Sequence, residues 1–440
     1  MDQLEIKPLD KPPHATVRVP GSKSITNRAL VLAALAGRGR GCEVREILRS
    51  EDTEVMLEAL RRLGFQVDLS QSANGIWTAR IGSSANEPLI PAASADLFVA
   101  NSGTTMRFLT AMVCLGHGRY RLDGVPRMRE RPIHDLLAAL EQLDVQAGSE
   151  SANGCPPVWV QAAGLNGGHA RIKADVSSQF LSGLLMAAPC ARADITLEIE
   201  GTTVSEPYVD MTVTMMRQFG ARVERPSPRS FQIPGGQGYR APASSHVANS
   251  RWYTVEPDAS AASYFFAAAA ISGGEVAVFG LTTASLQGDV RFVEVLERMG
   301  CRIVHTQALI EVHGEPLRGI DVDMNDISDT VMTLGAVACF AEGPTTIRNV
   351  AHIRHKETDR LAALATELRR VGAGVDEFAD GLTIHPRPLH GAEIETYNDH
   401  RMAMSMALIG LKVPGIIIKN PGCVAKTYPS FFQDLEKLRS

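Results

Sequence analysis

The sequence predicts an α/β protein of two domains, and three observations carry that prediction. A chain of 440 residues exceeds what a single hydrophobic core accommodates. Six times along it, a short polar cluster precedes a small, apolar, helix-favouring run. Between the clusters lie a second, amphipathic helix pattern and strand-like runs. Each repeat therefore reads strand, helix, strand, helix, then one or two further strands.

Taken in order, the first cluster is Gly21-Ser22-Lys23-Ser24-Ile25-Thr26-Asn27-Arg28, leading into the apolar run 29–36. The second, Asn101-Ser102-Gly103-Thr104-Thr105-Met106-Arg107, leads into 108–115, and Ser177-Ser178-Gln179 leads into 180–189. Asp258-Ala259-Ser260, the stretch 326–330 and Asn398-Asp399-His400-Arg401 open the remaining three. Markers at Ser24, Gly103, Ser178, Ala259, Asp329 and His400 stand 79, 75, 81, 70 and 71 residues apart. The amphipathic helices fall at 55–64, 133–143, 209–220, 290–300 and 358–372, and strand-like runs include 15–19, 77–81, 158–161, 195–199, 275–278, 303–304 and 415–419. Six repeats divide into three per domain, with the Pro/Gly/Ser-rich interval 225–250 between the third and fourth. The predicted domains are 22–254, and 1–21 together with 255–440.

Composition excludes several classes. The chain is 45% hydrophobic and 21% charged, with a net charge of −5, which offers no general field for nucleic acid. No run approaches the ~18 uncharged apolar residues of a membrane span. The start, Met1-Asp2-Gln3-Leu4-Glu5, is acidic and lacks a signal-peptide core. Seven scattered cysteines without metal-ligand spacing predict reduced thiols, a cytoplasmic protein and no structural metal.

The chemistry gathers at the predicted helix starts, where free N–H groups and Ser, Thr, Asn and Asp side chains suit anions. Several starts add a cation: Lys23, Arg28, Arg107 and Arg401. Ordinary capping is the alternative reading of each, for Ser177, Ser178 and Asn398 above all. The densest stretch is His355-Lys356-Glu357-Thr358-Asp359-Arg360, before the apolar-periodic segment 361–368. At helical spacing Lys356 and Arg360, or Glu357 and Arg360, share one face. The same run also reads as a solvated helix face. Arg127, Arg129 and Arg131 precede Pro132, which suits a first helical turn and puts Arg131 at the cap; Lys426 follows a turn after the strand at 415–419. Asp329 and Glu357 are the candidates for proton transfer, while His400 reads as structural.

Together, the segments at 21–28, 101–107, 127–132, 177–179, 205–208, 356–360, 398–401 and 425–426 resemble the 5-enolpyruvylshikimate-3-phosphate synthase family, in the family's order. Gly-Ser-Lys-Ser at 21–24 with Lys-Glu-Thr-Asp-Arg at 356–360 is the specific combination. The resemblance implies an inside-out α/β barrel fold of two similar domains, each of three βαβαββ units, with the active site in the cleft between them. It also implies transfer of the enolpyruvyl group of phosphoenolpyruvate to the 5-hydroxyl of shikimate 3-phosphate, without cofactor or metal. A monomer is the family default, and the inhibitor glyphosate targets this family.

Carried over by motif, Lys23, Ser24, Arg28, Ser177, Ser178, Gln179, Ser205, Tyr208, Asp329, His352 and Lys356 match contacts to shikimate 3-phosphate. Lys23, Gly103, Arg131, Gln179, Arg360, Arg401 and Lys426 match the phosphoenolpyruvate site. Asp329 matches the base for the hydroxyl, and Glu357, with Lys23, the group handling the C3 proton. Three positions depart from the family. His352 stands for a frequent asparagine, Phe108 for a frequent proline, and Glu206 for a lysine found in some members. UDP-N-acetylglucosamine enolpyruvyl transferase is the sister alternative, but no cysteine occurs at 127–131. A non-catalytic anion-binding repeat protein is the alternative of another class.

Overall fold

The structure, a computed structural model, describes residues 2–242 and 252–439. Residues 243–250, the last part of the Pro/Gly/Ser-rich interval, lie outside the described residues. The chain divides into two compact units, Gly21–Val255, and Met1–Pro20 with Glu256–Ser440.

Two strands open the chain, β1 (Gln3–Ile6) and β2 (His14–Val17). The first repeat follows with α1 (Lys23–Ala36), β3 (Cys42–Ile47), α2 (Glu51–Arg62), β4 (Gln66–Gln71) and β5 (Trp77–Gly82). The second comprises β6 (Ser94–Phe98), α3 (Gly103–Met112), β7 (His117–Asp123), α4 (His134–Glu141), β8 (Gln146–Ser149) and β9 (Val158–Ala163). The third has β10 (Gly168–Lys173), α5 (Ser178–Ala187), β11 (Ile195–Glu200), α6 (Glu206–Gln218), β12 (Glu224–Ser227) and β13 (Ser230–Ile233), after which β14 (Trp252–Thr254) closes the unit.

In the other unit, the fourth repeat has α7 (Ala259–Ser272), β15 (Glu275–Phe279), α8 (Phe292–Arg298), β16 (Arg302–His305) and β17 (Leu309–His313). The fifth has β18 (Asp321–Asp323), α9 (Val331–Ala338), β19 (Thr345–Arg348), α10 (Arg360–Arg370), β20 (Gly374–Glu377) and β21 (Leu382–His385). The sixth has β22 (Ala392–Ile394), α11 (His400–Gly410), β23 (Ile416–Lys419) and α12 (Phe431–Glu436).

Each repeat builds its own sheet. The second, for example, has strand order β6-β7-β9-β8, with a parallel β6–β7 pair and an antiparallel hairpin. Two first strands are supplied from a distance: β14 pairs with β3, and β2 pairs with β15. In the last repeat β1 pairs with β23, giving three strands instead of four.

The two helices of a repeat differ in burial, and their sequences say why. α7 is almost wholly apolar and small, and Ala259 through Ile271 are all buried. A helix apolar on every side belongs inside. α2 and α10 bury one face only and keep charges on the other. Among the inner helices α3 packs on α5, where a Cβ on Gly183 would meet the Arg107 carbonyl oxygen at 2.9 Å. Glycine permits that approach of two helix backbones. No helix of the described residues is long and apolar enough to cross a membrane, and all seven cysteines are unpaired.

Several helix starts differ from the expectation. Arg131 does not cap α4; it ends a 3-10 turn over Pro126–Glu130 in an extended conformation (φ −90°, ψ 122°), and α4 begins two residues past Pro132. The cause is Pro132, whose ring disfavours helical geometry at the residue before it. Lys356 and Glu357 do not lie on a helix face with Arg360. A 3-10 turn covers Ala351–His355, Asp359 caps α10 by accepting from the Ala362 N–H at 3.0 Å, and Arg360 is the first helical residue. Asp329 lies inside a 3-10 turn, Asn325–Thr330, and the residue at the cap position of α9 is Thr330. At α11 the cap is Asp399, whose carboxylate accepts from the Arg401 N–H at 2.9 Å, while Asn398 is left-handed with φ 54°.

Candidate active site

In the unit Gly21–Val255, the candidates cluster at the N-termini of α1, α3, α5 and α6. Ser22, not Ser24, caps α1, accepting from the Ile25 N–H at 3.4 Å, which places Lys23 and Ser24 in the first turn. The Lys23 ammonium lies 3.4 Å from the buried Asp52 carboxylate. One turn on, Arg28 is buried and donates to Thr212 Oγ1 (2.7 Å), the Ser24 carbonyl (3.0 Å) and the Tyr208 carbonyl (3.2 Å). Burial pulls its pKa down to about 10, with the Tyr208 and Tyr253 hydroxyls partly opposing.

At α3, Ser102 is the cap and Gly103 the first helical residue. A Cβ there would fall 2.5 Å from Arg131 Nη2 and closer still to Arg107 Nη1, so a larger residue would push these guanidiniums aside. Arg131 also donates to the Asn101 carbonyl at 3.0 Å, and Arg107 to the Pro132 carbonyl at 3.1 Å. The structure thus joins Gly103 to Arg131 through contact rather than sequence proximity. Gln179 reaches Thr104 Oγ1 at 3.4 Å from the start of α5, which Ser177 caps. Ser178 is buried in that first turn. Ser205 precedes α6 with a left-handed φ of 53° and makes no side-chain cap bond.

In the other unit a buried ion network centres on Arg360. Its Nε donates to Asp399 Oδ2 at 2.8 Å, its Nη2 to Glu357 Oε2 at 2.9 Å and its Nη1 to Asp329 Oδ1 at 3.2 Å. Arg401 Nη2 reaches Asp329 Oδ2 at 2.5 Å, and Lys426 Nζ lies 3.9 Å from Glu357 Oε1. Burial alone would depress the Arg360 pKa, but Asp399, Glu357 and Asp329 hold it above the ordinary value. Three cations face three carboxylates, so each charge has a partner. Asp329 is the most open of the three carboxylates, at 17% side-chain exposure against 7% for Glu357 and none for Asp399.

His352 is also buried, and burial, then the nearby Lys356 charge, lowers its pKa to about 3. The ring is neutral in the fold and takes up a proton on unfolding below its ordinary pKa near 6.5. Stability therefore falls as pH drops from about 6.5 towards 3, by up to ~1.4 kcal/mol per unit. His352→Asn should flatten this acid limb by up to one proton, read from urea unfolding at pH 7, 6 and 5. Parallel limbs in the two proteins would contradict it.

Two buried residues that sequence reasoning assigned no role organise these sites. Asp399 anchors Arg360, and Asp52 faces Lys23. Asp399 carried a signal, a capping residue before an apolar helix; Asp52, in the acidic first turn of α2, has no signal that sets it apart from its neighbours Glu51 and Glu54. A third grouping was also missed: Glu275, Glu311 and His313 bring possible ligand atoms within 4.8 Å across β15 and β17. Arg302 is already part of it, 2.6 Å from His313 Nδ1. Glu311 and His313 are neighbours on one face of β17, but Glu275 is distant in sequence, so no spacing pattern shows the set.

Buried cations at capped helix starts, with two reachable carboxylates among them, define an enzyme that handles small anionic molecules. A family model described as EPSP synthase (3-phosphoshikimate 1-carboxyvinyltransferase) matches residues 10–435. Proteins named 3-phosphoshikimate 1-carboxyvinyltransferase from Trichormus variabilis and Nostoc punctiforme are 50% and 52% identical, over 100% and 98% of this chain and 99% and 98% of theirs. The relative from Serratia proteamaculans is 46% identical over 100% of this chain and 99% of its own. A solved EPSP synthase from Acinetobacter baumannii superposes with a TM-score of 0.77 at 25% identity, covering 100% of this chain and 98% of that one. The chain belongs to the EPSP synthase family, and its fold is the α/β enolpyruvyl transferase fold. That family's activity is enolpyruvyl transfer in the shikimate pathway, on small-molecule substrates.

Proposed function

We propose that both clusters serve one reaction, transfer of the enolpyruvyl group of phosphoenolpyruvate to the 5-hydroxyl of shikimate 3-phosphate, with release of phosphate. The observation that carries this reading is the pair of carboxylates, Asp329 and Glu357, bonded to one buried guanidinium, Arg360. Two phosphates and two carboxylates must be held together, and Lys23, Arg28, Arg131, Arg360, Arg401 and Lys426 offset their repulsion. Ser24, Ser177, Ser178, Gln179, Ser205, Tyr208, His352 and Lys356 complete the shikimate 3-phosphate contacts in this reading. Gly103 lets the Arg107 and Arg131 guanidiniums approach the start of α3, where phosphoenolpyruvate binds in this reading.

In the addition step Asp329 takes the proton of the 5-hydroxyl as its oxygen bonds to C2 of phosphoenolpyruvate. C3 receives a proton from Glu357, which enters this step in its acid form, with Lys23 assisting, giving a tetrahedral adduct. Elimination reverses the C3 step: Glu357 takes a proton back, the double bond re-forms and phosphate leaves. The two carboxylates suit divided work because their surroundings differ. Asp329 is bonded to two arginines, whereas Glu357 is bonded to one and faces Lys426. The same reading makes the protein a cytoplasmic monomer that uses no metal or cofactor.

The test is phosphate release from phosphoenolpyruvate, with shikimate 3-phosphate or UDP-N-acetylglucosamine as acceptor. Release with shikimate 3-phosphate alone is expected. Release only with the nucleotide sugar would assign the sister reaction, and none from folded protein would favour a binding protein.

A further inference from the structure

We propose that Phe108 is a positioning residue for the acceptor substrate, its ring holding the Arg28 guanidinium charged and aimed without consuming that charge. The proposal rests on the reading of Arg28 as a shikimate 3-phosphate contact. Arg28 is 1% exposed, yet every partner it has is neutral: the Thr212 and Ser182 hydroxyls and the Ser24 and Tyr208 carbonyls. Among the described residues no carboxylate pairs with it. A buried guanidinium without a counterion is costly, and ordinarily an acid such as Asp399 beside Arg360 offsets that cost. A carboxylate would also cancel the charge that an anionic ligand is to meet.

Aromatic faces solve the two requirements together. The Arg28 Cζ stands 5.0 Å from the centre of the Phe108 ring and 5.8 Å from that of Tyr208. The negative face of each ring attracts the cation, most strongly where water is excluded, but carries no net charge. Phe108 is itself 1% exposed, so the pair is desolvated on both sides. Arg107, next to it, also lies over a ring, 5.7 Å from the centre of Phe180.

The experiment replaces Phe108 with mono-, di- and trifluorophenylalanine in the full chain. These rings keep nearly the same shape while their negative faces weaken. The KM for shikimate 3-phosphate should rise with each fluorine, by about three- to tenfold across the series, a range within reach of a desolvated cation–π contact. The kcat and the KM for phosphoenolpyruvate should stay within about twofold. Phe108→Leu should raise the acceptor KM at least as far, and Phe108→Tyr should restore it. A structural role alone would follow side-chain volume and give a flat fluorine series, which would overturn the proposal. Arg28→Lys in parallel separates the layers. If it too leaves the acceptor KM unchanged, the assignment of Arg28 fails and the proposal with it. If Arg28→Lys raises that KM while the fluorine series stays flat, only the role of Phe108 fails.

Discussion

Replacing Asp329 by asparagine is expected to lower kcat by about 10²–10⁴-fold, the range ascribed to a positioned general base. Asparagine keeps the shape and one acceptor oxygen, so it can still receive a hydrogen bond from Arg360 or Arg401, both of which bond Asp329. What it cannot do is accept the hydroxyl proton. Removing one negative charge leaves the three cations of the network facing two carboxylates. Phosphoenolpyruvate, an anion, should then bind as well as before or more tightly, and the affinity for shikimate 3-phosphate should change little. Steady-state kinetics with calorimetric titration of both substrates separates these effects. A near-normal kcat would remove Asp329 from the chemistry, whereas loss of affinity without loss of turnover would make it a binding residue only.

Asp399→Ala is expected to cost about 3–5 kcal/mol of folding stability, since it removes one partner of a fully buried ion pair. A further ~1 kcal/mol follows from loss of the α11 cap. Arg360 donates to both oxygens of Asp399, at 2.8 and 3.3 Å, and neither side chain has appreciable exposure. Alanine would strand part of the guanidinium in the interior without its carboxylate partner. Asp399→Asn keeps a cap and an acceptor and loses only the charge, so it should fall between. Urea unfolding of the three proteins checks the order, and a loss below about 1 kcal/mol for alanine would show that water or a rearranged neighbour replaces the carboxylate.

Much of the fold was legible in the chain because its signals are short-range. Small apolar runs after Ser, Asn and Asp identify the inner helices, and one-faced patterns identify α2 and α10, since capping and periodicity act within a turn or two. Misplaced starts arose where two local signals competed. Pro132 suggested a first helical turn, but its constraint on Arg131 delayed the helix to His134. In the stretch 355–360 the charges suggested a helix face, while the cap at Asp359 moved the start to Arg360.

The candidate site divides along the same line. Residue types and helix-start locations for Lys23, Arg28, Gly103 and Arg401 follow from the sequence, because each sits in the first turn or two of a helix that the sequence announces. Partners do not follow. Arg360 meets Asp399 across 39 positions and Asp329 across 31, Arg28 meets Thr212 across 184, and Phe108 lies under Arg28 although they belong to different repeats. By itself, then, the sequence determined the repeated α/β plan, the capped helix starts and the chemistry they can carry. Only the tertiary structure decided that β2 joins β15, that β14 joins β3, and which carboxylate answers which cation. The physical reason is that burial sets those choices: a strand edge or a charge removed from water takes whichever distant partner packing brings within reach.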